Sequence, residues 1–130
     1  MDWAPLLAAA RAVREHSHSP YSRFPVGAAL LADDGTIWVG TNVENRSYGL
    51  TICAERAAVL AAVAAGRRRF RAVLILADAD PPASPCGACR EVLAEFCAPD
   101  LPVRSVNLAG EVRDFRFGEL FPEPFVFAPA

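Results

Sequence analysis

Three cysteines split between two distant stretches constrain this chain more than any other feature. Cys53 lies in Thr51-Ile52-Cys53-Ala54-Glu55-Arg56, and Cys86 and Cys89 lie in Pro85-Cys86-Gly87-Ala88-Cys89-Arg90. A Cys-x-x-Cys pair puts two thiolates on one turn of backbone. A third soft ligand from elsewhere leaves a tetrahedral zinc one vacant corner, which is what a catalytic zinc requires. The fold is therefore expected to bring Cys53, Cys86 and Cys89 together as metal ligands, with Glu55 two residues from one of them.

The bulk numbers bound what can surround such a site. A chain of 130 residues is one domain by length, here 1–130, and is long enough to bury roughly two thirds of its surface. The charged fraction is 22% and the net charge is -2, which favours neither a polyanion nor an anionic membrane and suits a small neutral substrate. No run of about 18 apolar residues and no leader-like segment marks a membrane span or a secretory signal. Four cysteines, three of them committed to a metal, point to a reducing cytoplasm.

Along the chain, Asp2 can cap a first helix that carries Trp3, Leu6, Leu7, Ala10 and Val13 on one apolar face. His16 and His18 form a His-x-His pair, which we read as exposed residues at a helix end, since three cysteines already complete a zinc set. Pro25 to Ala32 and Thr36 to Thr41 are β-rich runs around Asp33-Asp34-Gly35, a hairpin signal. A polar loop from Asn42 to Gly49 then leads into an alanine-rich helix, expected over Ile52 to Ala65 and read as buried. The run Arg67-Arg68-Arg69-Phe70-Arg71 could face nucleic acid, but no second basic cluster extends it, so it reads as a solvated helix exit.

Ala72 to Ala77 is a continuous apolar strand, and Ser84 can cap a helix over Pro85 to Phe96 whose first turn holds Cys86 and Cys89. All three ligands then lie at helix N-termini, where unpaired N–H groups favour thiolates. Cys97 has no ligand spacing to anything and reads as a small buried hydrophobe. Pro102 to Leu108 and Glu111 to Phe115 are further strands, and Phe117 to Phe121 is a short helical turn. The order predicts a three-layer α/β/α domain with a five-stranded mixed sheet flanked by helices.

Five blocks of residues resemble the small, homo-oligomeric cytidine deaminases, in the right order over nearly the whole chain. They are Tyr21-Ser22-Arg23-Phe24-Pro25-Val26-Gly27-Ala28, Asn42-Val43-Glu44-Asn45, Ser47-Tyr48-Gly49-Leu50-Thr51, Cys53-Ala54-Glu55-Arg56 and Pro85-Cys86-Gly87-Ala88-Cys89-Arg90. Zinc deaminases carry a His-x-Glu followed by Pro-Cys-x-x-Cys, and Cys53 stands where that histidine would be. The resemblance implies deamination of cytidine and deoxycytidine in pyrimidine salvage, with one zinc per subunit. It also implies that Asn42 and Glu44 bind the ribose hydroxyl, that the Ala54 backbone meets the pyrimidine and that Phe24 packs on the ring. It further implies a homotetramer in which Phe125 and Tyr48 close a site built mainly by another subunit. Arg46 departs from the small residue the family more often has there.

The residue types give the chemistry independently. Glu55 can take a proton from the attacking water and pass it on, as acid and base of the cycle. Three thiolates make zinc a poorer Lewis acid, so a compensating cation is expected beside them, and Arg56 is the candidate. Two rival readings remain. One is a structural zinc module whose fourth corner is closed by Cys97 or a histidine. The other is a deaminase for another aminated base, of the blasticidin S type or held in RNA.

Overall fold

The computed structural model describes residues 1–128. Helix α1 (Ala4–Arg14) is followed by strands β1 (Val26–Ala32) and β2 (Ile37–Thr41), a 3-10 turn (Tyr48–Leu50) and helix α2 (Ala54–Ala64). Strand β3 (Phe70–Ala77), helix α3 (Gly87–Ala94), strands β4 (Pro102–Val106) and β5 (Val112–Arg116) and helix α4 (Phe117–Leu120) complete the order. The strands lie β2-β1-β3-β4-β5. Only β3 and β4 are parallel, because α3 provides the crossover between them, while the other neighbours are antiparallel.

The sheet separates two apolar cores. On one face Leu6 and Ala10 of α1 meet Ala29, Leu74 and Leu76. On the other, Ala58 and Val59 of α2 and Leu93 of α3 meet Ala28, Leu30, Val73, Ile75 and Val103. This is the expected α/β/α layering, and β3, sandwiched between both cores, is the continuous apolar run. The β1–β2 hairpin closes as predicted, with Gly35 at φ +87°, a backbone angle that a side chain would strain.

Two helix starts differ from expectation. Cys53 and Cys86 have extended backbone (ψ 157° and 168°) and stand at the N-cap, so α2 begins at Ala54 and α3 at Gly87. Their carbonyls accept the first helical bonds, from Ala57 and Arg90. Ser84 is no cap; its hydroxyl accepts a hydrogen bond from Arg90 instead. Helix α2 is buried on one face only, with Leu60, Ala61 and Ala64 exposed. A flank of alanines and one leucine carries no polar stripe to mark its solvent side.

Two glycines let the helices settle directly on strand backbone. A Cβ on Gly40 would lie 2.2 Å from the Ala58 nitrogen and 2.4 Å from the Ala54 carbonyl oxygen. One on Gly27 would lie 2.1 Å from the Ala10 carbonyl oxygen, on the opposite face. The basic run is tied to the hairpin. Arg67 pairs with Asp34 at 3.1 Å and lies over Trp38, Arg71 donates to the Asp33 carbonyl, and Phe70 is buried. The interleaved aromatic is therefore core, with no face free to stack on a base.

Candidate metal centre and active site

The N-terminus of α2 and that of α3 point at the same spot, and each delivers sulfur there. The Sγ atoms of Cys53, Cys86 and Cys89 lie within 4.8 Å of one another, and Cys53 and Cys86 are 3.8 Å apart. A tetrahedral zinc with bonds of about 2.3 Å holds its sulfurs roughly 3.8 Å apart. The donor set and its spacing fit that ion. Among the described residues no further Cys, His, Asp or Glu joins the group. Cys97, at the far end of α3, is buried, and burial pushes its thiol up to about 12. His16 and His18 are exposed, and the backbone of His18 pairs with the loop at Val43. The fourth corner that a closed structural site needs is thus left without a protein ligand among the described residues.

The sulfurs already share protons unequally. Hydrogen bonds from the Cys89 thiol, then from Arg56 and Cys86, bring Cys53 down to about 5 against the opposing effect of burial. Cys89 is pushed up in turn, by its bond to Cys53 and by burial. A divalent cation would replace those shared protons and suit all three as thiolates. Arg56 lies one turn along α2 from Cys53, its Nη2 3.4 Å from that sulfur and 3.3 Å from the Thr51 carbonyl oxygen. Replacing Arg56 with glutamine is expected to leave the fold intact and lower kcat by about 10- to 100-fold, the range typical of partners just outside a ligand set. Unchanged kinetics with full zinc content would return Arg56 to the ordinary helix surface.

Beside the sulfurs lies a cleft of about 240 Å³. Its wall carries Phe24, Asn42, Glu44, Cys53, Ala54, Glu55 and Cys86, seven of the residues predicted from sequence. Sequence reasoning missed Ser22, Val26, Thr51, Ile75, Ala83 and Ser84. Ser22, Val26 and Thr51 lie within blocks that carry the resemblance and could have been found there; Ile75, Ala83 and Ser84 lie outside those blocks. Glu55 is 5% exposed, and burial pushes its carboxyl up to about 7 although its own backbone N–H opposes the shift. A proton is thus exchangeable there near neutral pH.

The outer wall is a hydrogen-bonded frame. Glu44 Oε1 accepts from the backbone N–H groups of Tyr21 (2.9 Å) and Ser22 (3.1 Å), and Oε2 accepts from the Ser22 hydroxyl. These bonds, the Ser22 hydroxyl first, hold the Glu44 carboxyl below its usual value. The Asn42 amide donates to the Phe24 carbonyl and accepts from the Val26 N–H, each at 2.9 Å. Tyr48 is not on the cleft wall. It stands edge-on to Tyr21 at 5.6 Å, in an adjoining depression that shares Ser22, Glu44 and Thr51 with the cleft. Phe125 is 77% exposed and absent from its own chain's cleft wall, so it does not simply cover its own sheet.

The family model for the cytidine and deoxycytidylate deaminase zinc-binding region matches residues 4–105. The chain belongs to that family. It is 50% identical over 125 residues to a cytidine deaminase of Sporosarcina psychrophila, covering 96% of this chain and 92% of the relative. It is 48% identical to the cytidine deaminase of Halalkalibacterium halodurans, again over 96% of this chain and 95% of the relative. The crystal structure of a Burkholderia pseudomallei cytidine deaminase superposes with a TM-score of 0.92 at 46% identity, covering 96% of this chain and all (100%) of that one. The family's zinc-binding region and the trio of sulfurs fit one zinc ion per chain, with Cys53, Cys86 and Cys89 placed to bind it. No helix among the described residues is long and apolar enough to cross a membrane.

Proposed function

We propose that this chain is a hydrolase that converts cytidine and 2'-deoxycytidine, with water, into uridine or 2'-deoxyuridine and ammonia, as in pyrimidine salvage. The observation that carries the reading is a buried carboxyl, Glu55, beside three convergent thiols and on the wall of a largely apolar cleft. The zinc, when bound, supplies the Lewis acidity that makes a water molecule nucleophilic near neutral pH. Glu55 accepts one proton of that water and delivers it to N3 of the base, then takes the second from the new hydroxyl at C4 and passes it to the departing amine, which leaves a carbonyl and ammonia. Burial keeps bulk water from competing for the same proton. Phe24 and the Ala54 backbone hold the pyrimidine, while Asn42 and Glu44 meet the ribose hydroxyl with a donor and an acceptor. Arg56 offsets thiolate charge.

A panel of cytidine, 2'-deoxycytidine, cytosine, adenosine and blasticidin S, read as absorbance loss and ammonia release, tests the substrate class. The two cytidines are expected to react, and cytosine, which offers Asn42 and Glu44 nothing, is expected to react poorly. Preference for adenosine or blasticidin S, or no ammonia from any of the five, overturns the reading.

The same proposal includes a homotetramer with shared sites, working in a reducing cytoplasm that keeps Cys53, Cys86 and Cys89 as thiols. Its support is the exposed apolar material on one chain. Leu60 on α2, Tyr48 and Leu50 in the loop, and Phe125, Val126 and Phe127 near the C-terminus are each more than half exposed, more than a stable monomer tends to leave uncovered. Mixing subunits bearing Glu55→Ala with subunits bearing Phe125→Ala and letting them reassemble is expected to give activity above the average of the two parents. Sites that combine an intact Glu55 with an intact Phe125 from another chain then exist. No gain despite proven subunit exchange and a defective Phe125→Ala parent assigns Phe125 to its own subunit, and a monomer in sedimentation removes the arrangement.

A further inference from the structure

Asn42 is 7% exposed, and its amide offers four hydrogen-bonding positions, two lone pairs on Oδ1 and two N–H groups on Nδ2. Oδ1 accepts from the Val26 N–H at 2.9 Å and from the Ser17 hydroxyl at 2.6 Å, and Nδ2 donates to the Phe24 carbonyl at 2.9 Å. Rotating the amide by half a turn would set N–H against N–H at Val26 and oxygen against oxygen at Phe24. One orientation therefore satisfies all three partners, and the position left over is an N–H donor. Asn42 lines the cleft next to Glu44, whose ionised carboxylate can only accept.

Ser17 has a single proton to give. Its Oγ lies 3.1 Å from Ser19 Oγ and 3.5 Å from the Asn42 backbone carbonyl, both longer than its contact with Oδ1. Oδ1 carries no proton, so the hydroxyl proton of Ser17 belongs in that shortest contact, and the Ser19 hydroxyl is free to donate to Ser17 in turn. Ser17 is itself half-buried in the segment after α1 and is not on the cleft wall. Resting on the nucleoside reading above, we propose that Ser17 is a positioning residue that braces the Asn42 amide in the orientation its Val26 and Phe24 contacts select. Val26 and Phe24 make the free position a donor, and the Ser17 brace holds that donor in place for a sugar hydroxyl, so it sets affinity for nucleosides that carry that hydroxyl.

In Ser17→Ala, Oδ1 keeps one partner of two, and the amide keeps its orientation but is held less firmly. The loss of one net hydrogen bond is expected to raise the KM for cytidine and the competitive Ki of uridine by roughly 3- to 10-fold. The Ki of 2',3'-dideoxyuridine, which lacks both ring hydroxyls, is expected to stay within about twofold, as is kcat. Ser17→Thr keeps the hydroxyl and is expected to restore uridine binding, and Ser17→Cys, a weaker donor of similar size, repeats the comparison should the alanine variant fold poorly. In NMR spectra the two Asn42 side-chain N–H signals, assigned through Asn42→Asp, are expected to shift or broaden in Ser17→Ala and not in Ser17→Thr. Equal weakening of uridine and dideoxyuridine, or unaltered Asn42 signals in Ser17→Ala, overturns the proposal. Failure of the unaltered protein to release ammonia from cytidine would instead sink the nucleoside reading, and the NMR comparison would still decide whether Ser17 fixes the amide.

Discussion

Glu55→Gln is expected to retain one zinc per chain and to lose at least about a hundredfold in kcat for cytidine, since a positioned acid–base group contributes typically 10²- to 10⁴-fold. Glutamine has nearly the size of glutamate and fills the same buried space at the start of α2, so packing against the sheet is preserved. What it lacks is a group that can accept a proton and give it back. The thermal transition is expected to be no lower than that of the unaltered protein, because the variant no longer buries an ionisable carboxyl. Zinc content by elemental analysis and a melting curve therefore separate lost chemistry from lost structure. Near-normal turnover in Glu55→Gln would remove Glu55 from the mechanism.

The second large effect concerns the sulfurs. Cys53→Ala, Cys86→Ala and Cys89→Ala are each expected to lose more than about 100-fold in zinc affinity, because removing a ligand outright exceeds the 10- to 100-fold typical of its neighbours. Activity falls with the metal. Cys97→Ala is expected to keep its zinc and its turnover and to lose only about 1 kcal/mol of stability, from a small cavity beneath α4. The four variants share one chemical change, so the contrast isolates position. Metal loss in Cys97→Ala, or full retention in any of the other three, would overturn the ligand assignment.

Much of the site was legible because its signals are local. The Cys-x-x-Cys spacing, the three-residue step from Cys53 to Arg56 along one helix face, and the hairpin residues Asp33-Asp34-Gly35 each fix geometry within one turn of chain. The helix starts were harder. Cysteine is an uncommon cap, so the sequence nominated Ser84, whose hydroxyl is occupied by Arg90. Phe70 read as part of a charged exit because four arginines surround it, yet strand pairing carries it into the core. Contacts made by tertiary topology left no trace at all. Ser17 meets Asn42 across 25 residues, and no spacing rule connects a residue after α1 with one after β2.

The two close approaches at Gly27 and Gly40 restrict how this scaffold can be remodelled. Adjacent strands are stripped to bare backbone where one helix presses from each side, so the layers there are as thin as polypeptide allows. The helix that carries Cys53, Glu55 and Arg56 therefore has no slack toward the sheet, and a methyl at Gly40 would lift it and carry all three side chains with it. An enzyme engineer seeking room for a bulkier base cannot gain it by sliding that helix. The volume has to come from the opposite rim, from Phe24 or from Ala83 and Ser84, where the cleft is bounded by loop and not by packed layers.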